Sequence, residues 1–125
     1  MKKNKKILIV EDEVSLINVL SDKLTSEGYE VIKALDGKDG LKAALSEHPD
    51  LIMLDISLPV MDGIAMLKEL RKDDSGKNME VIMLTNFSEY KLLADALAQG
   101  AHDYLVKSDW KLDDVVKLVN DKLKI

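Results

Sequence analysis

Short apolar runs alternate along the chain with longer segments whose apolar residues recur at helical spacing. The runs Lys6–Val10, Glu30–Ala34, Leu51–Asp55, Val81–Thr85 and Asp103–Val106 predict strands. Val14–Ser26, Lys38–Ser46, Ile64–Lys72, Ser88–Gln99 and Leu112–Leu123 predict the helices between and after them. Gly28 and Gly100 fall just past two helix ends, where a left-handed residue commonly closes the last turn. Ser88 is the expected N-cap of the fourth helix, and Pro49 ends the segment before the third strand. Asp36-Gly37 and Asp62-Gly63 read as turns leading into the second and third helices. Strict alternation of strand and helix implies an α/β fold, a parallel sheet wound on both faces by helices. The first and third strands, Ile7-Leu-Ile-Val10 and Leu51-Ile-Met-Leu54, are almost wholly apolar, as central strands buried on both sides must be.

Composition narrows the class. At 125 residues the chain is expected to form one domain over 1–125, with 1–5 as a basic tail. Lys+Arg 18 against Asp+Glu 23 gives a net charge of −5, which argues against nucleic acid as a partner. Cys is 0, which excludes disulfides, thiolate metal sites and cysteine nucleophiles. No apolar run approaches the ~18 residues of a membrane span, so no membrane partner is expected. Lys2, Lys3, Lys5 and Lys6 are not followed by the apolar region of an export signal, and a cytoplasmic location is expected. The chain stops where its fifth helix ends, so the expectation is a stand-alone domain without an output segment.

The chemistry gathers at strand ends. In open parallel sheets ligands bind beyond the carboxyl ends of the strands, where strand order reverses. Glu11, Asp12 and Glu13 follow the first strand, Asp55 ends the third, Thr85 ends the fourth, and the fifth runs through to Lys107. If the first and third strands are neighbours, Glu11, Asp12 and Asp55 crowd one rim and repel one another unless a cation neutralises them. Oxygen donors without His or Cys point to a hard ion, and Mg²⁺ fits best. A carboxylate not consumed by the metal can attack phosphorus and form an aspartyl phosphate. The Lys107 ammonium, the Thr85 hydroxyl and the ion would then share the phosphoryl oxygens. Duller readings exist for several of these residues. Asp12 alone could cap the first helix, Thr85 is a good strand former, and Tyr104 could be a half-buried edge aromatic. Asp55 has no capping explanation, because Pro59 and the Gly63 turn intervene before the next helix. His48, His102 and Trp110 read as surface or packing residues.

These segments resemble the receiver domain of two-component response regulators over essentially the whole chain. The resemblance rests on Ile-Leu-Ile-Val-Glu11-Asp12-Glu13, on Leu-Ile-Met-Leu-Asp55-Ile-Ser-Leu-Pro59-Val-Met-Asp62-Gly63, on Val-Ile-Met-Leu-Thr85, and on Gly100-Ala-His-Asp-Tyr104-Leu-Val-Lys107. It implies a flavodoxin-like (βα)5 sheet in the order 2-1-3-4-5. It implies that Asp55 takes a phosphoryl group from a phosphohistidine on a sensor histidine kinase or histidine phosphotransfer protein. Asp12 and Asp55 would ligate Mg²⁺ with the Ser57 carbonyl, and Glu11 would act mainly through water. Lys107 would pair with Asp55, while Thr85 and then Tyr104 would move inward and alter the surface of the fourth helix, fifth strand and fifth helix. The implied partners are a downstream target protein and a second copy of the chain, paired through that face on phosphorylation.

The chain departs from the family pattern at three places. Ser108 stands where the family has a cis proline after its lysine, and a trans bond is expected here. Asn86 replaces a small residue after Thr85 and is expected to alter dephosphorylation. Ile17 is expected at the exposed margin of the stripe Leu16, Val19, Leu20 and Leu24, where a kinase helix would dock. Two other classes compete. A haloacid-dehalogenase-type phosphohydrolase would place an acid two residues after its nucleophile, where this chain has Ser57. A flavodoxin-type cofactor module would need a hydroxyl-rich loop where Glu11-Asp12-Glu13 stands, and neither glycine-rich nucleotide motif is present.

Overall fold

In the computed structural model, which describes residues 5–124, strands and helices alternate from end to end. They run β1 Lys6–Val10, α1 Val14–Ser26, β2 Glu30–Ala34, α2 Gly37–Glu47, β3 Leu51–Asp55 and α3 Gly63–Lys72. A 3-10 turn over Asp74–Gly76 leads to β4 Glu80–Thr85. A 3-10 segment Phe87–Leu92 continues into α4 Leu93–Ala98, followed by β5 Asp103–Val106 and α5 Leu112–Leu123. All four strand pairings are parallel and the order is β2-β1-β3-β4-β5. The expected architecture is therefore the observed one. Of the expected basic tail, residues 1–4 lie outside the described residues. Lys6 already belongs to β1, and its Nζ reaches Glu47 Oε1 at 3.2 Å.

Side-chain alternation divides each central strand between two cores. Ile7, Ile9, Leu51, Met53, Ile82 and Leu84 pack with Ile17, Leu20 and Leu24 of α1 and with Val115 and Val119 of α5. Leu8, Val10, Ile52, Leu54 and Met83 turn the other way, toward Ala44 of α2, Met66, Leu67 and Leu70 of α3, and Ala96 of α4. Every residue of β3 is buried. Trp110 packs at the margin of the α1–α5 core, in the packing role expected of it.

The helix ends follow local chemistry. Gly28 and Gly100 adopt φ of 99° and 84°, the left-handed region expected of them. Asp36 and Asp62 prove to be N-caps as well as turn residues, accepting from Asp39 N–H at 2.7 Å and Ala65 N–H at 2.8 Å. At the end of the sheet away from the strand tips, Lys122 of α5 binds both Glu80 Oε2 at 2.9 Å and Asp103 Oδ2 at 2.6 Å. This one ammonium ties the starts of β4 and β5 together.

Two expectations are corrected. Ser88 is not the cap of the fourth helical region; Asn86 is, and its N–H donates to Glu89 Oε1 at 2.9 Å. The helix expected over Ser88–Gln99 is a 3-10 segment followed by a short α4. Ile17 is not exposed: it is 1% accessible, whereas Val19 is 46% accessible. The buried phase of α1 is Ile17, Leu20, Ser21 and Leu24, the i, i+3, i+4, i+7 face that lies on the sheet. A stripe drawn through Leu16 and Val19 is rotated from that face, and this removes Ile17 as a docking residue. Ile17→Ala is accordingly expected to lower unfolding free energy by about 2–5 kcal/mol, the usual range for emptying a core site. Val19→Ala should stay within about 0.5 kcal/mol. Urea unfolding of the two variants checks this, and equal effects would contradict the assigned face.

Candidate functional site

The register of the two central strands builds the site. Val10 pairs with Leu54, so one step further Glu11 and Asp55 stand side by side past the last apolar pair. One carboxylate oxygen from each of Glu11, Asp12 and Asp55 lies within 4.8 Å of the others. Glu11 is fully buried and Asp55 is 1% exposed, whereas Asp12 faces solvent. The close approach of the expected acidic residues is thus observed.

Lys107 reaches the same point from the next-but-one strand. Its backbone N–H donates to Thr85 O at 2.8 Å, just past the end of β5. Its Nζ then sits 2.7 Å from Glu11 Oε1 and 2.7 Å from Asp55 Oδ2. The remaining oxygens also have donors. Glu11 Oε2 accepts from Glu13 N–H at 2.9 Å, and Asp55 Oδ1 accepts from Ser57 N–H at 3.3 Å. There are no cis peptides among the described residues, so the Lys107–Ser108 bond is trans as expected.

Charge is not balanced by the protein alone. Three carboxylates face one ammonium. The Asp55 carboxyl is pushed up to about 7: burial raises it most, the Lys107 hydrogen bond pulls it part of the way down, and the Glu11 charge raises it again. For Lys107, burial alone would lower the pKa, but hydrogen bonds to Asp55 and Glu11 outweigh it and the net direction is upward. A cluster of oxygen donors with surplus negative charge fits a hard divalent cation better than an empty rim.

The loop after β3 is folded tightly against Asp55. Gly63 N–H donates to Ile56 O at 2.8 Å, and a Cβ at Gly63 would lie 2.1 Å from the Asp55 carbonyl oxygen, so only glycine fits. Earlier in the loop, Val60 takes φ of 69° while Met61 N–H closes a tight turn on Pro59 O at 2.7 Å. A β-branched residue in the left-handed region is strained.

The other expected residues are placed variously. Thr85 ends β4, is 1% exposed, and donates its hydroxyl to Asn86 O at 3.0 Å. Ser57 donates its hydroxyl to the Glu89 carboxylate across the gap between the β3–α3 and β4–α4 loops. Asn86 is exposed at the rim. Tyr104 is 45% exposed and lines an apolar groove of about 470 Å³ with Tyr90, Leu93 and Leu97. Glu89 was not foreseen. Asn86-x-x-Glu89 is a legible capping spacing, but its tie to Ser57 depends on two loops meeting.

Comparison with known proteins agrees with this arrangement. A family model described as response regulator receiver domain matches residues 7–120. The alkaline phosphatase synthesis transcriptional regulatory protein PhoP of Bacillus subtilis is 44% identical over 104 residues, covering 83% of this chain and 42% of that protein. The chain therefore spans less than half the length of that relative. Among solved structures, a CheY-like response regulator receiver domain protein from Methanospirillum hungatei superposes with a TM-score of 0.89 at 30% identity. That likeness covers 98% of this chain and 95% of the other. The receiver domain of a Pseudomonas aeruginosa sensor histidine kinase, with a magnesium ion coordinated in its active site cleft, gives a TM-score of 0.87 at 29% identity. The coverage there is 98% of this chain and 99% of the other.

The raised Asp55 pKa sets the direction of a pH effect. The folded state holds a proton that the unfolded state, near 3.9, has released, so stability falls as pH rises from about 4 to 7 and then levels. Asp55→Asn should thus unfold at higher urea than the parent at pH 8, by on the order of 1–3 kcal/mol, with the gap closing near pH 4. Urea melts of both proteins across that range check it. A gap that is independent of pH would contradict the assignment.

Proposed function

The chain belongs to the response regulator receiver family, and from that premise we propose that Asp55 accepts a phosphoryl group from the phosphohistidine of a sensor histidine kinase or histidine phosphotransfer protein. Four groups arriving from three strand ends carry the reading: the Lys107 ammonium 2.7 Å from both Glu11 and Asp55, with Asp12 beside them. Asp12, Asp55 and the Ser57 carbonyl would hold Mg²⁺, with Glu11 acting through water. The ion, when bound, supplies positive charge to the phosphoryl oxygens.

In the transfer, an Asp55 carboxylate oxygen forms the new P–O bond as the P–N bond to histidine breaks, and the imidazole nitrogen keeps the electron pair and takes up a proton. Lys107 stays beside the acceptor and offsets the charge brought by the phosphoryl group. The Thr85 hydroxyl, now turned to Asn86 O, would swing to a phosphoryl oxygen. Tyr104 then moves from its exposed position toward the space Thr85 leaves. The surface that changes is α4, β5 and α5, where Tyr90, Leu97 and Tyr104 are exposed. A downstream target protein or a second copy of the chain would bind there.

Repeated hydrolysis of free substrates is disfavoured, because the residue two places after Asp55 is Ser57 and its hydroxyl is engaged by Glu89. The domain is read as one unit acting on itself rather than as an enzyme with a separate substrate. No helix among the described residues is long and apolar enough to cross a membrane. A cytoplasmic site of action fits a partner that carries phosphohistidine.

Intact mass after incubation with acetyl phosphate and Mg²⁺ should show a single phosphoryl adduct, absent in Asp55→Asn and after chelation. Lys107→Ala should label at least ~100-fold more slowly, the usual effect of removing a charge stabiliser. An adduct that persists in Asp55→Asn would overturn the assignment. Asn86→Ala should change the decay rate of the adduct, and identical decay would remove Asn86 from the account.

A further inference from the structure

Glu89 is a buried carboxylate, 9% exposed, that the phosphoryl-transfer chemistry does not use. Its two oxygens face different loops. Oε2 accepts the Ser57 hydroxyl, and Oε1 accepts Asn86 N–H at 2.9 Å. Ser57 N–H in turn donates to Asp55 Oδ1 at 3.3 Å, and Asn86 O accepts the Thr85 hydroxyl at 3.0 Å. One unbroken series of hydrogen bonds therefore runs from the acceptor Asp55 through Ser57, Glu89 and Asn86 to Thr85.

We propose that Glu89 is a positioning residue that latches the β4–α4 loop to the β3–α3 loop and holds Thr85 in its unphosphorylated arrangement. The proposal rests on the phosphoryl-acceptor reading of Asp55. Thr85 spends its single hydroxyl proton on Asn86 O, and Asn86 is held by Glu89. A phosphoryl group on Asp55 places about two negative charges where the ionised carboxylate carried one, and it projects them toward the latch. The new anion repels the Glu89 carboxylate and competes for the Ser57 hydroxyl. Opening the latch frees Asn86, and Thr85 can turn toward the phosphoryl group. The latch thus biases a two-state loop toward its resting form.

The test uses the full chain and four variants: Glu89→Ala, Glu89→Gln, Ser57→Ala and the Ser57→Ala/Glu89→Ala pair. Without donor or Mg²⁺, hydrogen exchange at Asn86 N–H should speed up roughly tenfold in Glu89→Ala, the effect of one hydrogen bond to a charged acceptor. Glu89→Gln, which keeps an acceptor oxygen, should retain most of the protection. The Thr85 methyl resonance should shift in Glu89→Ala and Ser57→Ala toward its position in the phosphorylated parent. Both single variants should label from acetyl phosphate several-fold faster than the parent, and the double variant should match one single rather than their product. Unchanged exchange at Asn86 with parental labelling rates, or rates that multiply in the double variant, overturns the latch. A parent that is not labelled at Asp55 overturns the acceptor reading instead, while Asn86 exchange in the donor-free variants still decides the latch. If Glu89→Ala fails to fold, Ser57→Ala and Glu89→Gln carry the same comparison.

Discussion

A single ammonium shared by two buried carboxylates is the constraint on which this structure turns. Lys107 lies 2.7 Å from Glu11 and 2.7 Å from Asp55, and neither acid has meaningful access to water. Removing Lys107 would leave two carboxylates uncompensated inside the protein, which costs far more than the intact arrangement contributes. The site is therefore held together by mutual need and remains short of positive charge. A receiver for a phosphoryl anion that must also bind a cation has both properties.

The sheet supplies the rigidity this arrangement needs. β1 and β3 are buried on both faces, so their register cannot slip without moving apolar side chains between two packed cores. That fixed register sets Glu11 beside Asp55. The loops beyond the strand tips have no comparable packing, and local hydrogen bonds define them instead. Gly63 presses on the Asp55 carbonyl, Val60 accepts an unfavourable backbone angle, and Glu89 joins two loops. The acceptor Asp55 thus sits on the most buried strand, while Thr85 and Tyr104 lie on β4 and β5, nearer the edge of the sheet.

Much of this was legible in the sequence because near-continuous apolar runs mark central strands and their ends mark the rim. The five strands and the convergence of Glu11, Asp12, Asp55 and Lys107 follow from that logic, whereas Asp36 and Asp62 were legible as turns and not as the caps they also form. Ile17 was misplaced because Leu16, Ile17, Val19 and Leu20 are all apolar, and residue type cannot fix the rotation of a helix. The sheet fixes it. The fourth helix was expected to be regular because its spacing is helical, but Asn86 and Glu89 tighten its start into 3-10 geometry. The Ser57–Glu89 contact joins residues 32 positions apart, and no local pattern encodes it.

Lys122 grips Glu80 and Asp103 at the opposite edge of the sheet, where β4 and β5 begin. That clip fastens the two strands at their heels, while at their toes Thr85 pairs with Val106 and its carbonyl takes the Lys107 N–H. The two ends of one strand pair are thus held by different forces, exposed charge at one and buried backbone hydrogen bonds at the other. Salt in the medium weakens the first and leaves the second nearly untouched.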